Sequence, residues 1–166
     1  MRRPTLLIVL LLVLTLPTMA VAQGKTPRAF KAVLEGSMTF VVMEDATSYY
    51  DVYGLGVARG TAQGLGQTEL FSFQQAQESG SPILTHFFLI AANGDRIIGT
   101  YEGGHTTITG PASALGEATF VVTGGTGRFA AAAGELEAKI YLTVPGGNWM
   151  AMEWPGVWTF EGWIKY

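Results

Sequence analysis

The 166 residues include no cysteine, so disulfides, a thiolate nucleophile and lipid attachment through a leader cysteine are all excluded. Charge is also scarce. Lys, Arg, Asp and Glu make up 14% of the chain and nowhere run into a block. Scattered acidic residues serve solubility rather than forming an interaction tail. A net charge of −3 argues against a nucleic-acid partner, which needs a basic face. Helix-forming sequence is limited to the alanine-rich stretch 129–133, which Gly127 and Gly134 restrict to about one turn. The chain instead has 22 glycines and many aromatics, a composition suited to β-structure with tight turns.

Arg2 and Arg3 precede an apolar run from Leu6 to Leu16 that is broken only by Thr15. Pro17 stops any helix there, and Ala20-Val21-Ala22 offers the small residues after which signal peptidase cuts. The run is shorter than the roughly 20 residues that span a bilayer. These features predict a signal peptide over 1–22, a secreted or periplasmic location with no membrane anchor after cleavage, and a single domain over 23–166. Without Arg2 and Arg3, eight basic residues face 13 acidic ones. A disulfide-free domain of that length has to be held together by its core.

From Phe30 the inner candidates alternate as Phe30, Ala32, Leu34, Gly36, Met38 and Phe40, a half-buried strand. Further strands are expected at 49–57, 67–75 (with Phe71 and Phe73 on one face), 83–92, 95–102, 118–123, 135–144 and 157–165. Seven or eight short strands without interleaved helices predict an all-β protein, a small antiparallel barrel of about eight strands or a sandwich. Asn93-Gly94 suits a two-residue type I′ turn. That register pairs Ile90 with Ile97, Phe88 with Gly99 and His86 with Tyr101 on the interior face, and puts Phe87, Leu89 and Ile98 on the other. Both faces of the first strand would then be apolar, so that either something covers the outside or subunits associate there.

The segment Phe120-Val121-Val122-Thr123-Gly124-Gly125-Thr126-Gly127-Arg128-Phe129-Ala130, with Gly134 beyond it, resembles the signature of the dirigent and allene oxide cyclase barrel superfamily and its secreted bacterial members. About a dozen residues match specifically, and the match in style extends over most of 30–166. The resemblance implies an eight-stranded antiparallel barrel, frequently a homotrimer, with an apolar cavity for small hydrophobic molecules. It implies no metal and no organic cofactor. The pocket residues of the plant members have no matching positions here, so the resemblance carries the fold and not the reaction. Gly125 to Ala130 also fits G-x-G-x-x-A, but a dinucleotide site needs a helix opening there and an acidic residue about 20 positions on, and neither is present. The structural reading is a bulged turn with Gly in positive φ and Arg128 and Phe129 packed over it.

Several residues are candidates for chemistry. His86 opposite Tyr101 reads either as a pocket acid–base pair or as a structural cross-strand pair. His105, the other histidine, lies at a different level, which argues against a shared metal site. Trp149, Trp154 and Trp158 crowd a Pro- and Gly-rich region and read as a cavity rim for an apolar ligand, or as core or subunit contact; Phe88 joins them on the predicted interior face. Glu153 reads as a general acid or base if buried among these aromatics, or as a solvated loop residue. The functions that follow are a secreted barrel that binds a small hydrophobic molecule and acts as a cofactor-independent cyclase or isomerase, a non-enzymatic carrier, or an envelope interaction protein with a filled barrel.

Overall fold

The structure is a computed structural model that describes residues 26–44, 50–76, 82–148 and 152–166. The leader over 1–22, its cleavage site and Trp149 lie outside the described residues. Eight strands form among the described residues: β1 (Arg28–Glu44), β2 (Tyr50–Ala62), β3 (Gly66–Ala76), β4 (Pro82–Ala91), β5 (Arg96–Gly110), β6 (Ser113–Gly125), β7 (Ala133–Thr143) and β8 (Glu153–Lys165). Each pairs antiparallel with the next, and β8 pairs with β1, so the sheet closes into a barrel. Closure removes the unpaired edges that a sheet would otherwise expose.

Alternation decides what points inward. On β1 and β7, Phe30, Ala32, Leu34, Leu136, Ala138 and Leu142 are buried, while Lys31, Glu35, Glu135, Glu137 and Lys139 between them are exposed. Trp158, Phe160 and Ile164 on β8 complete the floor of the core with Leu70, Phe87, Leu89, Ile97 and Phe120. Phe120 lies at the centre, in ring contact with Phe87, Tyr101 and Phe160 at 4.8, 4.7 and 5.1 Å.

The β4–β5 hairpin departs from the expected register by one residue. The Gly94 N–H donates to the Ala91 carbonyl at 2.8 Å and the Ala91 N–H to the Asp95 carbonyl at 2.9 Å, so the loop holds three residues, with Gly94 at φ 85°. Leu89 therefore faces Ile97, Phe88 faces Ile98 and Phe87 faces Gly99. A one-residue slip exchanges the two faces of a strand. Phe87 and Leu89 enter the core, and His86, Phe88 and Ile90 turn outward. The ladder runs only from Phe87 to Ile90. Beyond it the Thr85 hydroxyl takes over, accepting from the Tyr101 N–H at 3.1 Å and donating to the Tyr101 carbonyl.

The Gly124–Gly134 segment is a structural closure. Gly127–Phe129 forms a single 3-10 turn with Gly127 at φ 54°, and its missing Cβ leaves room for the Asp95 carboxylate. That carboxylate accepts from Asn93 Nδ2 at 2.9 Å and lies 3.7 Å from Arg128 Nε. Arg128 also donates to the Gly64 carbonyl at 3.1 Å and covers the Phe129 ring at 4.7 Å. Phe129, fully buried against Tyr166, and Leu65 plug this end of the barrel.

Candidate functional site

The opposite end, where β1, β3, β5 and β7 finish, is not filled. A cavity of about 310 Å³ lies between Met38 and Phe40 of β1, Ser72 and Gln74 of β3, Tyr101, Gly104 and Thr106 of β5, Gly116, Ala118 and Phe120 of β6, and Ile140 and Leu142 of β7. Small inward residues create it. On β6 the inward series runs Ala114, Gly116, Ala118 before the first large side chain, Phe120. On β2, Gly54 and Gly56 let the Gln74 amide and the Ser72 hydroxyl lie directly against the backbone. The volume is at the lower end for small-molecule pockets.

A bulge shapes the β5 wall. Glu102 pairs with Thr119 but His105 pairs with Glu117, so β5 holds one extra residue around Gly103, at φ 64°. Tyr101 and Thr106 both face the cavity as a result. Without the extra residue, alternation from Tyr101 would send His105 inward.

The polar groups gather on one wall. The Tyr101 hydroxyl donates to Gln74 Oε1 at 2.9 Å, and its ring stacks on Phe120 at 16°. Only 6% of Tyr101 is exposed, and burial pushes its phenol well above the ordinary value of 10.0, so it stays neutral. Ser72 is also buried. His105 and Glu117 border the cavity along the chain, but alternation places their side chains on the outer face, where His105 Nε2 lies 3.3 Å and Lys139 Nζ 3.8 Å from the Glu117 carboxylate.

Of the candidates for chemistry named from sequence that lie among the described residues, Tyr101 alone points into this space. His86 is exposed on the outer face, so the His86–Tyr101 pair does not exist: the wall of the barrel separates the two. Phe88 is 38% exposed outside rather than lining the interior. Glu153 is exposed on β8 opposite Thr39, which leaves it solvated. Trp158 is fully buried in the core, and its Nε1 has no hydrogen-bond partner among the described residues. Trp154 packs edge-on against Phe40 at 4.9 Å, one side chain removed from the cavity. Gln74, Ser72, Gly104, Thr106 and Gly116, which form much of the wall, were not singled out. A second feature is an apolar belt on the outside of β2–β5. Val57, Phe71, Phe88 and Ile98 are direct cross-strand neighbours in one row, with Leu55 and Phe73 paired in the next.

Comparison of the chain with family models, with curated proteins and with solved structures finds no match.

Proposed function

We propose that this chain is an exported barrel that binds one small hydrophobic molecule in the cavity beside Tyr101 and Gln74. The observation that carries this reading is an interior left open at one end while the other is plugged by Phe129 and Leu65. The resemblance of the Gly124–Gly134 segment to dirigent and allene oxide cyclase barrels supports the same reading. Of the titratable residues bordering the cavity, His105 and Glu117 are turned outward onto each other, whereas Tyr101 points inward and is held neutral. This favours carriage of the molecule, or a cyclisation or isomerisation steered by confinement and orientation, over proton transfer from a side chain. The outer faces of β6, β7, β8 and β1 carry Glu117, Glu137, Lys139, Glu161 and Lys31. A membrane-spanning barrel needs an apolar band on every strand, so this surface suits an aqueous compartment.

Cavity filling tests the reading. A Cβ at Gly116 would meet its nearest neighbour, Ile140, at 3.5 Å, an ordinary contact, and a larger side chain there extends into the open space. Indane, as an apolar probe, is expected to change the fluorescence of Trp154 through Phe40 and to saturate at one equivalent. Gly116→Leu should abolish that response without lowering the unfolding temperature. A wild-type protein that shows no saturable response to indane or to its ketone and carboxylate analogues refutes the proposal.

The belt supports a further property, association with other copies of the chain, and the resemblance implies three. A row of four apolar side chains across adjacent strands is unusual for a surface in water. Light scattering at micromolar concentration is expected to report an oligomer that Phe88→Glu converts to monomer. Wild-type monomer under these conditions counts against association.

A further inference from the structure

We infer that the ligand of this cavity is electrically neutral and presents a hydrogen-bond-accepting oxygen, as a small cyclic ketone or lactone does, and that compact carboxylates are rejected. The inference rests on the cavity being a binding site and goes on to specify the chemistry of its occupant.

The first argument is a count of donors. Tyr101 and Gln74 hold three polar hydrogens between them, one on the phenol and two on the amide. Their mutual bond, 2.9 Å from the Tyr101 oxygen to Gln74 Oε1, uses one. Turning the amide over would still use only one, so two donors of this pair are left whichever way it points. Gln74 Nε2 lies over Gly54, inside the barrel and against a strand that offers no side chain there. A buried N–H without an acceptor costs more than a carbonyl with a spare lone pair, so the wall selects an acceptor before a donor.

The second argument is the placement of charge. All seven Lys and Arg of the described residues, Arg28, Lys31, Arg59, Arg96, Arg128, Lys139 and Lys165, are exposed and lie outside the cavity. Four of them already face a carboxylate: Lys31 on Glu161, Arg59 on Glu69, Arg128 on Asp95 and Lys139 on Glu117. A carboxylate small enough to sit wholly among Met38, Phe40, Phe120, Ile140 and Leu142 would lose its hydration with no Lys or Arg to replace it, and His105 at the border is turned onto Glu117, so its burial is strongly unfavourable. A carbonyl at the same place loses far less and gains the amide N–H.

Indane, 1-indanone and indane-1-carboxylate share one skeleton and separate these terms. Calorimetry on the full barrel should show 1-indanone binding about tenfold more tightly than indane, the ratio for one net hydrogen bond, and the carboxylate at least about a hundredfold more weakly than the ketone. Gln74→Met should bring ketone and hydrocarbon to within about twofold of each other. Tyr101→Phe, which preserves the stacked ring, guards against misfolding of the first variant and should also change the ketone's advantage. Equal binding of ketone and carboxylate overturns the inference, as does a ketone preference that both variants leave intact; in either case the cavity itself stands as a binding site. Failure of all three compounds to bind overturns the site, and the inference with it.

Discussion

Between the plugged end and the open one, the same strands change what they send inward. On β3 the inward series passes from Thr68 and Leu70 to Ser72 and Gln74, and on β6 it passes from Val122 and Phe120 to Ala118, Gly116 and Ala114. At the plugged end large apolar side chains such as Phe30, Phe129 and Ile164 are buried. At the open end the strands are just as regular, but the small inward residues of β2 and β6, Gly54, Gly56, Ala114, Gly116 and Ala118, leave a space beside the larger side chains of β1 and β7. The barrel thus divides its work along its axis: one end supplies stability and the other a cavity, and substitutions at the two ends should separate those properties.

The largest effect is expected in the packed region. Trp158 is fully buried, so Trp158→Ala should cost about 3–5 kcal/mol in denaturant unfolding. Trp158→Phe should cost less than about 1.5 kcal/mol, because the lost volume is partly offset by removal of an indole N–H that has no partner among the described residues. A Trp158→Phe variant as unstable as Trp158→Ala would mean that the N–H is satisfied in solution. If Trp158→Phe instead weakened a bound probe while leaving stability untouched, the residue would belong to the cavity after all.

Next in size is the closure beneath the plug. Asp95 accepts from Asn93 within the β4–β5 loop and ties that loop to the Gly127 turn through the backbone N–H and guanidinium of Arg128. Asp95→Ala should therefore cost about 1–2 kcal/mol in thermal unfolding, the range for losing an acceptor shared by partly exposed donors. Probe binding at the open end should be unchanged within about twofold, since the two ends share no side chain in this network. A large loss of binding in Asp95→Ala would show that the ends are mechanically coupled.

Much of the barrel was legible because alternation at period two needs only a half-buried strand. The eight strands, their antiparallel order and the short helical turn at Gly127–Phe129 follow from that alternation and from the spacing of the glycines. The candidate site was far less legible, for two physical reasons. Asn93-Gly94 fits the centre of a two-residue loop and the end of a three-residue loop equally well, and the difference of one residue turned His86 and Phe88 out of the barrel. The apolar belt also removes the usual contrast between inside and outside: on β3 the aromatics Phe71 and Phe73 face outward, while the inward positions are Ser72 and Gln74. Residues 103–117, which contribute Gly104, Thr106 and Gly116, break the alternation at the Gly103 bulge and therefore carried no strand signal.

The smallest effect belongs to Tyr101, and pH isolates it. Its phenol lies well above 10.0 in the folded protein because burial disfavours the phenolate, whereas in the unfolded chain it titrates near that ordinary value. Below about pH 9 both states hold the proton, and the group makes stability independent of pH. Above pH 10 the unfolded chain releases the proton while the folded one keeps it, so the unfolded state binds fewer protons and stability falls as pH rises. Tyr101→Phe should cost about 1 kcal/mol at neutral pH through the lost bond to Gln74, and should lose stability less steeply than wild type above pH 10. Urea unfolding of both proteins between pH 8 and roughly 11 reads the difference directly, because every other tyrosine is common to the pair. Parallel curves would place the Tyr101 hydroxyl in contact with water and would move the polar wall of the cavity to the surface.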